Sequence, residues 1–309
     1  MRIGIVGLGG IAQKAYLPVI TARGDIELVF CTRNEETLHK LSSKYRVGEC
    51  VTTVDELIAS KVDAAFVHTS TDSHPAIVEK LLLAGIHVYV DKPIAYTYEE
   101  SRRIVELSEQ TGRILMVGFN RRFAPMYAQV KKELKEPGLV LLQKNRLHHP
   151  DVARRFVLDD FIHVVDTLRF LAPGEIKRTR VSARIQEGKL YHVQLQLDGD
   201  DFSCIGIMNR DNGIVEEILE VMSPGDKRVV KNLNTTIEYS GGEEKHRGFN
   251  DWDPNLYRRG FDQVIEEFLS AVREGRGPSP SARDALLTHK LCEELVGELE
   301  AEGAEPWDK

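Results

Sequence analysis

The first twelve residues limit the fold more than any other stretch. Met1 to Val6 reads as a buried β-strand and runs without a break into Gly7-Leu8-Gly9-Gly10-Ile11-Ala12, which opens an apolar-periodic helix. A G-x-G-x-x-G/A string means little alone, but between a first strand and a helix it has a mechanical reason. Gly7 lets the chain turn tightly, Gly9 leaves the backbone open to a pyrophosphate, and Ala12 lets the helix sit close to the strand. The helix N-terminus then presents free N–H groups and a positive dipole end to an anion. The alternative is a tight βα turn with no ligand.

A parallel sheet follows if strands and helices keep alternating, and they do. Ile26 to Cys31 reads as a second strand, with a helix from Glu35. Thr53-Val54-Asp55-Glu56 is a capping box that starts a helix. Val62 to Val67 is a strand ending in His68-Thr69, and Pro75 suits the first turn of a helix running to Gly85. His87 to Val90 is another strand and delivers Asp91-Lys92-Pro93 at its carboxyl end, where doubly wound sheets gather ligands. A second capping box, Thr97 to Glu100, and the strand Ile114 to Val117 complete the pattern. This predicts an α/β fold whose first part, residues 1–120, is a doubly wound Rossmann domain binding NAD(P).

Cofactor choice is read at the end of the second strand. An acidic residue there bonds the adenosine ribose 2′-OH of NAD, whereas an Arg accommodates the 2′-phosphate of NADP. Thr32 stands in the acid's place and Arg33 follows it, so NADP(H) is expected over NAD(H), with NAD(H) possible. The competing reading has Arg33 stacked on adenine or in solvent.

From Gly118 to Pro125 the alternation stops, and from about residue 177 strand follows strand. Leu190 to Leu197 sets Tyr191, Val193, Leu195 and Leu197 against His192, Gln194 and Gln196, the period of two of an antiparallel sheet with one apolar face. Further strands are expected at 202–208, 215–222, 228–231 and 235–239, then helices over 256–273 and 283–300. Residues 121–309 are thus expected to form a C-terminal α+β domain, with a large, mostly antiparallel open sheet, for substrate binding and oligomerisation. A chain of 309 residues suits two domains.

Composition excludes several classes. The net charge of −7 with dispersed basic residues argues against nucleic acid as a partner. No apolar run approaches the ~20 residues that span a bilayer. A strand starting at Arg2 leaves no room for a signal peptide, so a cytoplasmic protein is expected. Cys31, Cys50, Cys204 and Cys292 lack C-x-x-C spacing and fit reduced thiols. His148 and His149 read as loop residues rather than metal ligands, and no metal is expected.

Two places carry candidate chemistry. In Leu158 to Leu168, read as a helix, Asp159, His163 and Asp166 fall on one stripe opposite Phe161, Val165 and Leu168. Such a stripe should face a cleft, and a carboxylate one turn before a histidine can fix its tautomer and raise its basicity. A solvated helix face is the plain alternative. Lys92 at a strand's carboxyl end could hold a substrate hydroxyl and stabilise a developing alkoxide, or be a surface or ribose contact. Arg121, Arg122, Arg154 and Arg155 could meet an anionic substrate or serve as hinge and surface residues.

Together, Gly7-x-Gly9-x-x-Ala12, Thr69 with His74, Asp91-Lys92-Pro93, and Asp159-x-x-x-His163-x-x-Asp166 resemble the glucose-fructose oxidoreductase / inositol dehydrogenase / MocA (Gfo/Idh/MocA) family over almost the whole chain. The MviM-like branch is the most similar. Asp91 replaces the family's Glu. The resemblance implies a dehydrogenase acting on sugars, polyols or related carbonyl compounds, with Lys92, Asp159 and His163 catalytic. It implies cofactor contacts from Gly7, Gly9, Gly10, Ile11, Ala12, Thr32, Arg33, Thr69, His74, Asp91, Lys92 and Asn120, and substrate contacts from Asp166 and Arg122. It also implies a homo-oligomer, dimer or tetramer, with a small-molecule substrate. The proton-transfer role falls to His163 or Lys92. A dinucleotide-binding regulator without turnover, and an enzyme using tightly held NAD(P) as transient oxidant in sugar cleavage, stay open as alternatives.

Overall fold

The computed structural model describes residues 1–133 and 136–307. The chain divides into two compact units: Met1–Phe119 with Phe261–Leu287, and Asn120–Gly260 with Thr288–Lys309.

The first unit holds a six-stranded parallel sheet of β1 (Arg2–Val6), β2 (Glu27–Cys31), β3 (Glu49–Val51), β4 (Ala64–Val67), β5 (His87–Val90) and β6 (Leu115–Val117). Their order is β3-β2-β1-β4-β5-β6. Ile3, Ile5, Phe66, Val67, Val88 and Val90 are fully buried, the continuous apolar strands of a sheet covered on both faces. Local signals start the helices as expected. The Asn34 side chain accepts from the Thr37 N–H at 2.8 Å ahead of Glu35–Tyr45. Thr53 and Glu56 cap each other reciprocally at Val54–Ala59. The short edge strand β3 has no counterpart in the sequence reading. The helical segment after the glycine turn is not a plain α-helix either: over Ala12–Tyr16 it widens, and the Leu17 N–H reaches back five residues to the Ala12 carbonyl.

The second unit is built on eight strands: β7 (Leu139–Asn145), β8 (Arg178–Gln186), β9 (Lys189–Asp198), β10 (Ser203–Asn209), β11 (Glu216–Ser223), β12 (Asp226–Lys231), β13 (Thr235–Ser240) and β14 (Glu243–Gly248). The order is β14-β13-β12-β11-β7-β10-β9-β8, antiparallel except where β7 meets β10. The fold class is the expected one, but β7 at the sheet's centre and β14 at its edge were not foreseen. The helix Ile162–Leu171 seats on β10 at Gly206, where a Cβ would come within 2.6 Å of Val164 Cγ1 and 2.8 Å of Leu168 Cδ1. Only glycine admits this approach, and it fixes the height of His163 above the sheet.

The expected helix over 256–273 is two pieces, Asn255–Arg258 and Phe261–Glu274, parted at Gly260 with φ +82°. A final helix spans Ala282–Ala301. No helix among the described residues is long and apolar enough to cross a membrane.

Candidate functional site

At the carboxyl ends of β1, β2 and β4 the first unit opens a cavity of about 780 Å³. Gly7, Gly9, Gly10, Ile11, Thr32, Arg33 and Thr69 line it. Gly7 has φ +87°, and a Cβ there would lie 2.8 Å from Thr69 N. Gly9 and Gly10 differ: a Cβ on either meets no atom within 4 Å. Their backbone therefore faces open space, which is what a diphosphate approaching the main chain requires. The residues present thus fit a dinucleotide. Arg33 is exposed at the rim, and Lys80, which also lines the cavity, pairs with Asp55 at 2.6 Å.

Ala12, His74, Asp91 and Lys92 do not line this cavity. Ala12 is fully buried beneath the turn. His74 is buried with ring nitrogens 2.9 Å from the Pro93 carbonyl and 3.1 Å from the Thr69 carbonyl, so it ties the loop after β4 to the turn after β5. Burial moves its pKa down. Asp91 Oδ1 accepts from the Lys92 N–H at 2.9 Å and from the Tyr16 hydroxyl at 3.1 Å, and that hydroxyl also lies 3.0 Å from Tyr89 Oη. The buried tyrosine pair thereby fixes the backbone that carries Lys92, whose peptide bond to Pro93 is cis.

His68 lines the cavity, and the sequence reading gave it no role. It is 2 % exposed, stacks on Tyr16 at 3.8 Å between ring centroids, and neither ring nitrogen has a hydrogen-bond partner. Burial, with help from His74, pushes its pKa down to about 3, so the ring is neutral.

In the second unit, Asp159 and His163 are half-buried. The segment before His163 departs from the expected α-helix: Phe156–Phe161 winds more widely, and the Ile162 N–H reaches back to the Val157 carbonyl. Such insertions shift side chains relative to a 100° wheel and recur at functional sites. Arg121 approaches His163, its Nη1 3.4 Å from Nε2 and 3.5 Å from Nδ1. The rest of the Arg121 fork is spent on Glu217, Nη2 to Oε2 at 2.9 Å and Nε to Oε1 at 3.3 Å, and Tyr127 also donates to Glu217 at 3.0 Å. Burial alone would raise the Glu217 carboxyl, but Arg121 outweighs it and holds the pKa at about 2.

The stripe expectation fails at Asp166. This residue is 1 % exposed and faces the interior, because Arg122 donates to it twice, at 2.7 and 2.9 Å, and Thr288 donates at 2.9 Å. A buried carboxylate satisfied in this way needs no cleft. The two residues expected at the substrate therefore hold each other. Asn120, expected at the nicotinamide, donates to the Arg259 carbonyl at 2.8 Å and accepts from Arg121 at 3.3 Å. Arg154 pairs with Glu293, Arg155 with Asp151, and His148 with Asp211.

Asp160, next to Asp159, was missed by the sequence reading. It is buried and bonded by Lys144 and twice by Arg146, at 2.8 and 3.0 Å, with Arg210 at 3.6 Å. Lys144 and Arg146, two residues apart at the end of β7, share a face. The signal was available once β7 was recognised.

Comparison with known proteins covers both units. Residues 1–119 match the Gfo/Idh/MocA model of an oxidoreductase family with an NAD-binding Rossmann fold, and residues 125–240 match a YceM-like C-terminal domain. A Salmonella typhimurium protein carrying the oxidoreductase name YceM is 35% identical over 302 residues, covering 96% of this chain and 97% of that one. The inositol 2-dehydrogenase of Rhizobium meliloti is 26% identical over 96% of each chain. The crystal structure of a Clostridium difficile dehydrogenase (MviM) superposes with a TM-score of 0.93 at 33% identity, covering 96% of this chain and 99% of that one. The glycine turn, the two sheets and these matches agree: the chain belongs to the Gfo/Idh/MocA family of oxidoreductases.

Proposed function

We propose that this oxidoreductase prefers NADP(H) and moves a hydride between the nicotinamide and a carbinol or carbonyl carbon of a sugar, polyol or related compound. The observation that carries the cofactor half is the cavity at the glycine turn, with Thr32 and Arg33 and no acidic residue at the end of β2. The inositol dehydrogenase relative supports the substrate half. A bound nicotinamide would supply the hydride acceptor or donor. His163 exchanges the hydroxyl proton, and Asp159 orients the ring and favours its basic tautomer. Lys92 holds the substrate oxygen, stabilises negative charge on it and contacts the cofactor ribose. Residues 1–120 serve the cofactor, residues 121–309 the substrate and oligomer contacts. Ala12, His74 and Asp91 act as supports of the cofactor site.

Titration of cofactor-free protein with NADPH and with NADH, followed by nicotinamide fluorescence, tests the first half. NADPH binds more tightly, and the Thr32→Asp/Arg33→Ile variant reverses the preference. An unchanged preference in that variant refutes the NADP assignment. Wild-type turnover by His163→Ala on a reacting polyol would move proton transfer to Lys92.

A further inference from the structure

One wall of the cavity at the glycine turn is a helix face that ends in a charged pair. Ser73, Ala76, Ile77 and Lys80 all line the cavity. They stand at i, i+3, i+4 and i+7, on a single face of the helical segment that continues as His74–Leu83. The face begins at the turn. Ser73 Oγ donates to Thr69 Oγ1 at 2.9 Å, and Thr69 N is the atom that a Cβ on Gly7 would meet at 2.8 Å. Seven residues on, ~10 Å along the helix, the face reaches Lys80. The neighbouring helix Val54–Ala59 packs against this one and adds Val54 and Asp55 to the lining.

The groups therefore change in a fixed order with distance from the turn. A hydroxyl comes first, then the apolar side chains Ala76 and Ile77, and last Lys80, whose Nζ lies 2.6 Å from Asp55 Oδ2 and so bridges the two helices. A dinucleotide whose diphosphate rests on the turn runs outward through a ribose to a flat base. Thr32 and Arg33, at the end of β2, answer for the ribose, and Ile77 and Val54, both half-exposed, offer apolar surface to the base. A purine also has a polar edge, and the Asp55–Lys80 pair supplies one group that only accepts and one that only donates. Adenine complements such a pair, with the 6-amino donor beside the N1 acceptor, whereas hypoxanthine presents the two in reverse. The side chains are 74 % and 45 % exposed, and an ion pair that open adds little to stability, so either partner can turn to a ligand at small cost.

We propose that the Asp55–Lys80 pair reads the adenine of the bound dinucleotide, Asp55 accepting from the 6-amino group and Lys80 donating to N1. The proposal rests on the reading that NAD(P) lies on the glycine turn, and is independent of the choice between NADPH and NADH.

The test is titration of the cofactor-free full chain, followed by nicotinamide fluorescence, with NADPH, NADH and the reduced hypoxanthine counterpart of each. Wild type binds each adenine dinucleotide about tenfold more tightly than its hypoxanthine counterpart, the scale of one charge-assisted hydrogen bond. Asp55→Ala brings that ratio close to one, and Asp55→Asn, which keeps an acceptor oxygen, retains part of it. Lys80→Met weakens NADPH and NADH by the same factor. Equal wild-type affinity for the two bases overturns the inference while leaving the cofactor reading intact, and an unchanged ratio in Asp55→Ala overturns it too. Loss of NADPH but not NADH affinity in Lys80→Met assigns the lysine to the 2′-phosphate and likewise overturns it. Failure of all four dinucleotides to bind defeats the cofactor reading itself, and the inference with it.

Discussion

Replacing Gly7 and Gly9 separately by alanine should separate folding from cofactor binding within one motif. At Gly7 the added methyl is forced into the left-handed region at φ +87° and would stand 2.8 Å from Thr69 N and 2.9 Å from His68 C. Those are backbone atoms of the loop after β4 and cannot rotate away as a side chain can. The conformational penalty of about 1–2 kcal/mol and an overpacking cost of about 1–3 kcal/mol give about 2–5 kcal/mol of lost stability. At Gly9 the new methyl meets nothing within 4 Å and φ is unrestricted, so stability should stay unchanged or rise by up to about 1 kcal/mol as the unfolded chain loses freedom. The same methyl occupies space where a pyrophosphate would approach the backbone, and NADPH affinity should fall tenfold or more, about 1.4 kcal/mol. Urea unfolding reads the first quantity and nicotinamide fluorescence the second. If Gly9→Ala is as destabilised as Gly7→Ala, the open space at Gly9 is wrong. If Gly9→Ala binds NADPH as wild type does, the phosphates do not lie on this turn.

Stability should also fall on mild acidification through His68. The unfolded ring takes up a proton near pH 6.5 and the folded one only at about 3, so between those values the unfolded state binds more protons. The loss between pH 7 and pH 5 is about 2 kcal/mol from this residue, with His74 adding in the same direction. The depressed Glu217 carboxyl acts below that window, between its ordinary value of 4.5 and about 2. Urea midpoints at pH 7 and pH 5 should converge in His68→Phe, and an undiminished slope there refutes the burial argument. Arg122→Ala should cost about 3–5 kcal/mol, because it strands the Asp166 carboxylate in the interior. Adding Asp166→Asn should recover a large part, and a single-variant loss below about 1 kcal/mol would show that Asp166 reaches water.

What could be read from the sequence was what neighbouring residues decide among themselves. The glycine turn, the Thr53–Glu56 box and five of the six strands of the first sheet depend on contacts a few residues apart or on runs of apolar residues, and they stand as expected; the short edge strand β3 does not. Strand β7 escaped because Leu139 and Leu141 on one face are as apolar as Val140 and Leu142 on the other, which erases the period of two. Strand β14, Glu-Glu-Lys-His-Arg-Gly, carries no apolar face and exists only by pairing with β13. The helix wheel placed Asp166 beside His163 in azimuth but said nothing of depth. Its depth is set by Arg122, 44 residues earlier, and Thr288, 122 residues later, and no spacing rule reaches that far. The same holds more strongly for a cavity of the second unit lined by Arg121, Lys144, Arg146 and Arg259. Arg121 follows the last parallel strand, Lys144 and Arg146 end an unforeseen one, and Arg259 precedes a helix break at Gly260 that the apolar period conceals. Each of these cations alone reads as an ordinary solvated side chain, and their meeting becomes visible only when the sheet brings all four to one place.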